Sequence, residues 1–212
     1  MDFNADMDYL FTNELAAHLA NRKIFRKLNI RQALRAETIS YISANVESPF
    51  VALKKLCAVV PSGSVPLLVP MLGNVTALEL RFYDDGSDIL GQIPSLTRLQ
   101  SLILLFYYDT SFSSAQFLSL KTLLNLERLC IRTRRKKRNR QRPAVRAEFY
   151  DAHFDDLTSA LPSLTRLTFE FQCNLSAATL VSLSIKCPAL EHCKLYPISA
   201  VQTLMPSVNG KP

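Results

Sequence analysis

One short template recurs along this chain and limits what it can fold into: apolar, two residues, apolar, one residue, apolar. It reads LTRLTFEF from Leu164, LERLCIRT from Leu126, LQSLILLF from Leu99, VTALELRF from Val75 and LKKLCAVV from Leu53. Weaker copies are FRKLNIRQ from Phe25 and LEHCKLYP from Leu190. Successive starts lie 28, 22, 24, 27, 38 and 26 residues apart. A strand alternates its faces, so the second and third apolar positions of each copy point inward and their neighbours outward. Copies stacked side by side make a parallel sheet, and each return needs a connector of a dozen or more residues.

The connectors carry helical patterns. In FSSAQFLSLKTLLNL, Ser113 can cap, Gln116 can complete a capping box, Phe112 can staple against Phe117, and Phe117, Leu120 and Leu124 form a stripe. Further helices are expected from Thr38 to Val46, Ser87 to Ile93 and Ser176 to Ile185, and one after the basic run with Tyr150, Phe154, Leu157 and Leu161 on its apolar side. Ser64 to Leu72 holds two prolines and suits only a turn of helix.

The C-terminal copy, CNLSAATLVSLSIKCPALEHCKL, resembles the cysteine-containing leucine-rich repeats of F-box proteins, matching at Cys173, Leu175, Ser176, Leu180, Leu183, Cys187, Pro188, Leu190, Glu191 and Leu195. Upstream, SVPLLVPMLGNVTALELRF and DILGQIPSLTRLQSLILLF look like the divergent F-box and leucine-rich-repeat proteins of filamentous fungi. The resemblance implies an α/β leucine-rich-repeat solenoid of about seven irregular repeats, a curved parallel sheet with helices on its outer face. It also implies a substrate-recognition part of an SCF-type ubiquitin ligase, with adaptor and cullin as partners. FTNELAAHL (Phe11 to Leu19) gives only a faint echo of the F-box, and the first repeat follows almost at once. The expected organisation is an N-terminal helical cap or F-box remnant over 1–24, repeats over 25–198 with a basic insertion at 133–146, and a tail over 199–212.

Charge is concentrated. The chain has 25 Lys and Arg against 18 Asp and Glu, a formal net charge of +7. Residues 132 to 146 hold nine of those cations and no acid, and the remainder, 16 basic against 18 acidic, is nearly neutral. The run RTRRKKRNRQRP contains Arg134, Arg135, Lys136, Lys137, Arg138, Arg140 and Arg142. It reads as an import signal or a solvated loop, and as a nucleic-acid contact through residues 132–142 in an alternative function, although no aromatic interleaves the cations.

Catalytic and metal chemistry have little to stand on. His18, His153 and His192 are the only histidines, the five glycines are scattered, and no nucleotide, zinc-protease or nucleophile motif is present. Glu148, Asp151 and Asp155 fit one polar helix face. Cys173, Cys187, His192 and Cys193 are zinc-ligand types, yet the repeat explains them as an inward Cys193, small buried hydrophobes at 173 and 187, and an outward His192. No cofactor or metal is expected. Five cysteines at irregular spacing, an acidic start and apolar runs as short as VPLLVPML fit an intracellular protein of nucleus or cytoplasm, without a membrane.

What remains is the outward face of the sheet. Its first column reads Lys27, Lys55, Ala77, Ser101, Arg128, Arg166 and His192. The second reads Asn29, Cys57, Glu79, Ile103, Cys130, Thr168 and Lys194, and the third Arg31, Val59, Arg81, Leu105, Arg132, Glu170 and Tyr196. Ile103 and Leu105 are expected as an exposed apolar patch rimmed by cations, suited to an acidic protein ligand. The candidate protein-binding residues are Lys55, Glu79, Arg81, Ile103, Leu105, Arg128, Arg132, Arg166, Glu170, Lys194 and Tyr196.

Overall fold

The computed structural model describes residues 2–5, 11–86, 88–134 and 145–195. Eight strands form one sheet in the order β1 (Asp2–Ala5), β2 (Lys27–Ala33), β3 (Lys55–Val59), β4 (Ala77–Phe82), β5 (Ser101–Phe106), β7 (Arg128–Thr133), β9 (Arg166–Phe169) and β11 (His192–Leu195). All seven pairings are parallel. The fold is thus α/β, with a parallel sheet whose strands follow chain order. The described connector helices pack in succession, α1 on α2, α2 on α3, α4 on α5 and α5 on α6, on one side of the sheet, as right-handed crossovers require. The burial pattern agrees: Leu28, Ile30, Leu56, Ala58, Leu78, Leu80, Leu102, Leu104, Leu129, Ile131, Leu167 and Phe169 are all buried on the covered face.

The same turn builds each entry into the sheet. The amide of the first apolar residue of a copy donates to the carbonyl three residues earlier: Leu53 to Phe50, Val75 to Leu72, Leu99 to Leu96, Leu126 to Leu123, Leu164 to Leu161 and Leu190 to Cys187. Each of those earlier residues is buried. Then one carbonyl of the preceding turn receives two successive amides. Lys54 and Lys55 donate to Arg26, Thr76 and Ala77 to Lys54, Gln100 and Ser101 to Thr76, Glu127 and Arg128 to Gln100, Thr165 and Arg166 to Glu127, and Glu191 and His192 to Thr165. This ladder locks adjacent turns in register, since a one-residue slip would put every buried leucine on the open face.

The helices are α1 (Asn13–Asn21), α2 (Ala36–Asn45), α3 (Val65–Leu68), α4 (Ser114–Leu118), α5 (Asp151–Ser159) and α6 (Ala178–Lys186). Thr12 caps α1. The Ser113–Gln116 capping box on α4 forms as its sequence implies, and the Phe112 and Phe117 rings meet edge to face at 5.6 Å. Ser64 to Leu72 gives one short helix and a 3-10 turn.

Several elements differ from expectation. Between Asp88 and Ile93 there is no α-helix, only a 3-10 turn over Ile93–Ser95, whose proline sits in the first turn. Leu124 is 62% exposed, because the connector tightens to 3-10 geometry at Ser119–Thr122 and buries Leu120 and Leu123 instead. A second, three-stranded parallel sheet, ordered β10 (Gln172–Asn174), β8 (Val145–Tyr150) and β6 (Thr110–Phe112), lies just beyond β9, β7 and β5 in the chain. Glu148 and Tyr150 therefore belong to a strand and not to the helix that follows, and the basic segment is shorter than 133–146, since Thr133 ends β7 and Val145 begins β8. Strand β1 precedes the seven copies as an eighth.

Phenylalanines join the two sheets. Phe106 packs on Phe82 at 5.3 Å and on Phe112 at 5.4 Å, while Phe117 meets Phe149 at 4.8 Å and Phe171 at 5.0 Å. All but Phe112 are at most 1% exposed.

Candidate interaction face

The face of the sheet opposite the buried leucines displays the first two columns in the register their sequences imply, and the third in part. Lys27, Lys55, Ala77, Ser101, Arg128, Arg166 and His192 are successive partners across the strands. So are Asn29, Cys57, Glu79, Ile103, Cys130, Thr168 and Lys194. The third column runs Val59, Arg81, Leu105 and Arg132, but Arg31 leaves it because β2 shifts register and Ala33 takes the place opposite Val59.

The apolar patch is not there. Leu105 is 2% exposed and Ile103 only half-exposed. The register partners of Leu105 are Arg81 and Arg132, whose long aliphatic stems can cover apolar surface while their heads reach water.

Charge is distributed unevenly along this face. On β4, Glu79 accepts from the Nε of Arg81 at 3.0 Å and from its terminal nitrogen at 2.8 Å. Burial pushes the Glu79 carboxyl up, but the bonds and charge of Arg81 outweigh it and hold it below the usual range. Burial, reinforced by Glu79, pushes the neighbouring Cys57 thiol up to about 11. That part of the face is self-neutralised.

The C-terminal part is not. A groove of about 590 Å³ is lined by Arg128, Cys130 and Arg132 of β7, Arg166 and Thr168 of β9, Glu170, Glu191, and His192 and Lys194 of β11. Four full cations face two carboxylates, and one carboxylate, Glu170, is already engaged by Lys194 at 2.5 Å. Among the described residues no carboxylate pairs with Arg128, Arg132 or Arg166. The Nε of Arg132 is buried without a hydrogen-bond partner. Cys130 and Thr168 form a neutral, buried floor.

Of the basic run, Arg134 is exposed, and its amide extends the β5 pairing by donating to the Phe106 carbonyl at 2.8 Å. Arg135, Lys136, Lys137, Arg138, Arg140, Arg142 and the candidate binding residue Tyr196 lie outside the described residues. Sequence reading missed the aromatics beside Arg134. Tyr83 and Tyr107 stack with centroids 4.1 Å apart, and the Tyr83 hydroxyl is pushed up to about 12 by burial and by Tyr107, against the opposing charges of Arg81 and Arg134. The signal was available, since Tyr83 and Tyr107 each follow the last residue of a template copy.

The acids on α5 are structural. Asp151 accepts from the Ser176 amide at 2.8 Å and from Thr179 Oγ1 at 2.6 Å, and Asp155 pairs with Lys186 and accepts from Ser182 at 2.5 Å, all joining α5 to the α6 segment. Cys187 is buried with its thiol near the Thr158 and Leu161 carbonyls, occupying the position held by phenylalanine or leucine in the other turns. Cys173 is half-buried, whereas Cys193 and His192 are exposed, Cys193 contrary to its expected inward burial, since among the described residues β11 is the edge strand and no further turn packs beside it. Among the described residues no group of three or more His, Cys, Asp or Glu side chains converges as a metal site, and no helix is long and apolar enough to cross a membrane. No protein-family model matches this sequence, and no curated protein matches it either.

Proposed function

We propose that this chain is a non-catalytic recognition scaffold, a leucine-rich-repeat solenoid that binds an acidic segment of a partner protein on the open face of its sheet. The observation that carries the reading is the groove on β7, β9 and β11, where among the described residues three arginines lack carboxylate partners. Unpaired cations in an open groove cost stability through mutual repulsion and steer an oppositely charged partner. The six-fold recurrence of the entry turn supports the solenoid. The resemblance of the C-terminal repeat to F-box proteins makes the finer reading a substrate-recognition part of an SCF-type ubiquitin ligase. The test is cross-linked affinity capture from extract; recovery of neither cullin-ligase subunits nor any stable protein partner defeats it.

A second reading, nucleic-acid association through residues 132–142, gains support from the stacked Tyr83–Tyr107 pair beside Arg134, an aromatic surface that a base could extend. It requires that deleting residues 134–142 lower nucleic-acid affinity and flatten its salt dependence. Unchanged affinity and slope refute it.

A further inference from the structure

The cations of the groove fall into two groups along the strand direction. Arg128 and Arg166 are direct register partners, with strands about 4.8 Å apart. Arg132 lies four residues further along β7, on the same face, which at about 3.3 Å per residue puts it ~13 Å from Arg128. Between them lie only Cys130 and Thr168, neutral and buried. Opposite Arg132, Glu170 is turned to Lys194, so it does not form an ion pair with the arginine.

This spacing equals the reach of four residues of extended chain, whose side chains at i and i+4 share one face. The groove is open, so a small anion would keep much of its hydration and gain little from a single exposed pairing. A polymer that touches both groups at once gains through effective concentration. Among the groove-lining residues none is Phe, Tyr or Trp, and the imidazole of His192 is the one ring, which gives single-stranded nucleic acid little to stack on here.

We infer that the groove binds an extended acidic segment lying along the strands, with two carboxylates four residues apart, one on the Arg128–Arg166 pair and one on Arg132. The inference rests on the protein-recognition reading above and specifies its ligand.

Fluorescence anisotropy on the full chain tests it with synthetic peptides of one composition, each carrying two glutamates at spacing i+2, i+4 or i+6 in a Ser/Thr background, and with oligouridylate as the nucleic-acid probe. The i+4 peptide should bind at least tenfold more tightly than the other two. Arg132→Gln should erase the spacing preference, Arg128→Gln with Arg166→Gln should weaken the i+4 peptide at least tenfold, and Glu170→Gln, which frees Lys194, should tighten it several-fold. Equal affinity at all spacings, negligible binding of every peptide, or tighter binding of oligouridylate in competition overturns the inference. If the spacing preference fails while partner capture still depends on the groove arginines, only this inference falls; if capture is indifferent to them, the recognition reading falls as well. Circular dichroism of each variant separates lost binding from lost fold.

Discussion

Arg128 and Arg166 face each other across adjacent parallel strands, and among the described residues neither meets a carboxylate. Like charges in directly opposed cross-strand positions destabilise a sheet. Replacing Arg166 with Thr, the residue type already standing at 168 on the same strand, should therefore raise the melting temperature while weakening acidic-ligand binding. Such a trade of stability for function is common at binding sites. A variant that melts lower than the parent in thermal denaturation would show that the arginine is structural.

Phe117 sits where the two sheets and α4 meet, in contact range of Phe112, Phe149, Phe169 and Phe171 and fully buried. Truncation removes the side chain that joins three successive turns. Phe117→Ala should cost about 3–5 kcal/mol in urea denaturation. Leu124→Ala, at an exposed position of the same connector, should cost less than ~0.5 kcal/mol.

Asp151 gives the fold an acid-sensitive tie. Burial raises its carboxyl, but donation from the Ser176 side chain and amide and from Thr179 outweighs this and holds it below the ordinary aspartate value. A depressed folded value stabilises above the unfolded value near about 4 and is lost as pH falls through the folded one. Asp151→Asn should thus be less stable than the parent at pH 7, with the gap closing toward pH 2. A gap constant over that range, measured by urea midpoints, contradicts the role.

Cysteine reactivity should follow exposure. Burial pushes Cys57 and Cys173 up to about 11, and it raises Cys130, Cys187 and Cys193 as well, but only Cys193 is exposed. A thiolate is the reacting species, so alkylation of the native chain at pH 8 should label Cys193 first and leave Cys57 slow until unfolding. Mass mapping that finds Cys57 labelled as fast would contradict the burial of that strand.

The columns of the open face were legible because each template copy starts at the same point of a period-two pattern, so the register of Lys55, Ala77, Ser101 and Arg128 followed from counting. The second sheet was not. Thr110–Phe112 and Gln172–Asn174 are three residues each, too short for alternation to register. Val145–Tyr150 does alternate, burying Val145, Ala147 and Phe149 and exposing Arg146, Glu148 and Tyr150, but its end abuts α5, and Tyr150, Phe154 and Leu157 mimic a helical stripe. The supposed patch at Ile103 and Leu105 failed for a different reason. Hydropathy along one strand does not report what the neighbouring strands place beside it, and for Leu105 these are two arginines. That Arg128, Arg132 and Arg166 meet no carboxylate among the described residues was equally hidden, since a sequence does not show that Glu170 pairs with Lys194.

The central claim is that the groove arginines recognise the partner, and comparative capture tests it most directly. Parent chain, Arg128→Glu with Arg166→Glu, and a control reversal at exposed Lys23, far along the chain from the groove, are each cross-linked in extract and their partners quantified. The account predicts that partners of the parent and of the Lys23 variant coincide and that the groove variant loses them at least tenfold. Equal recovery by all three would contradict it.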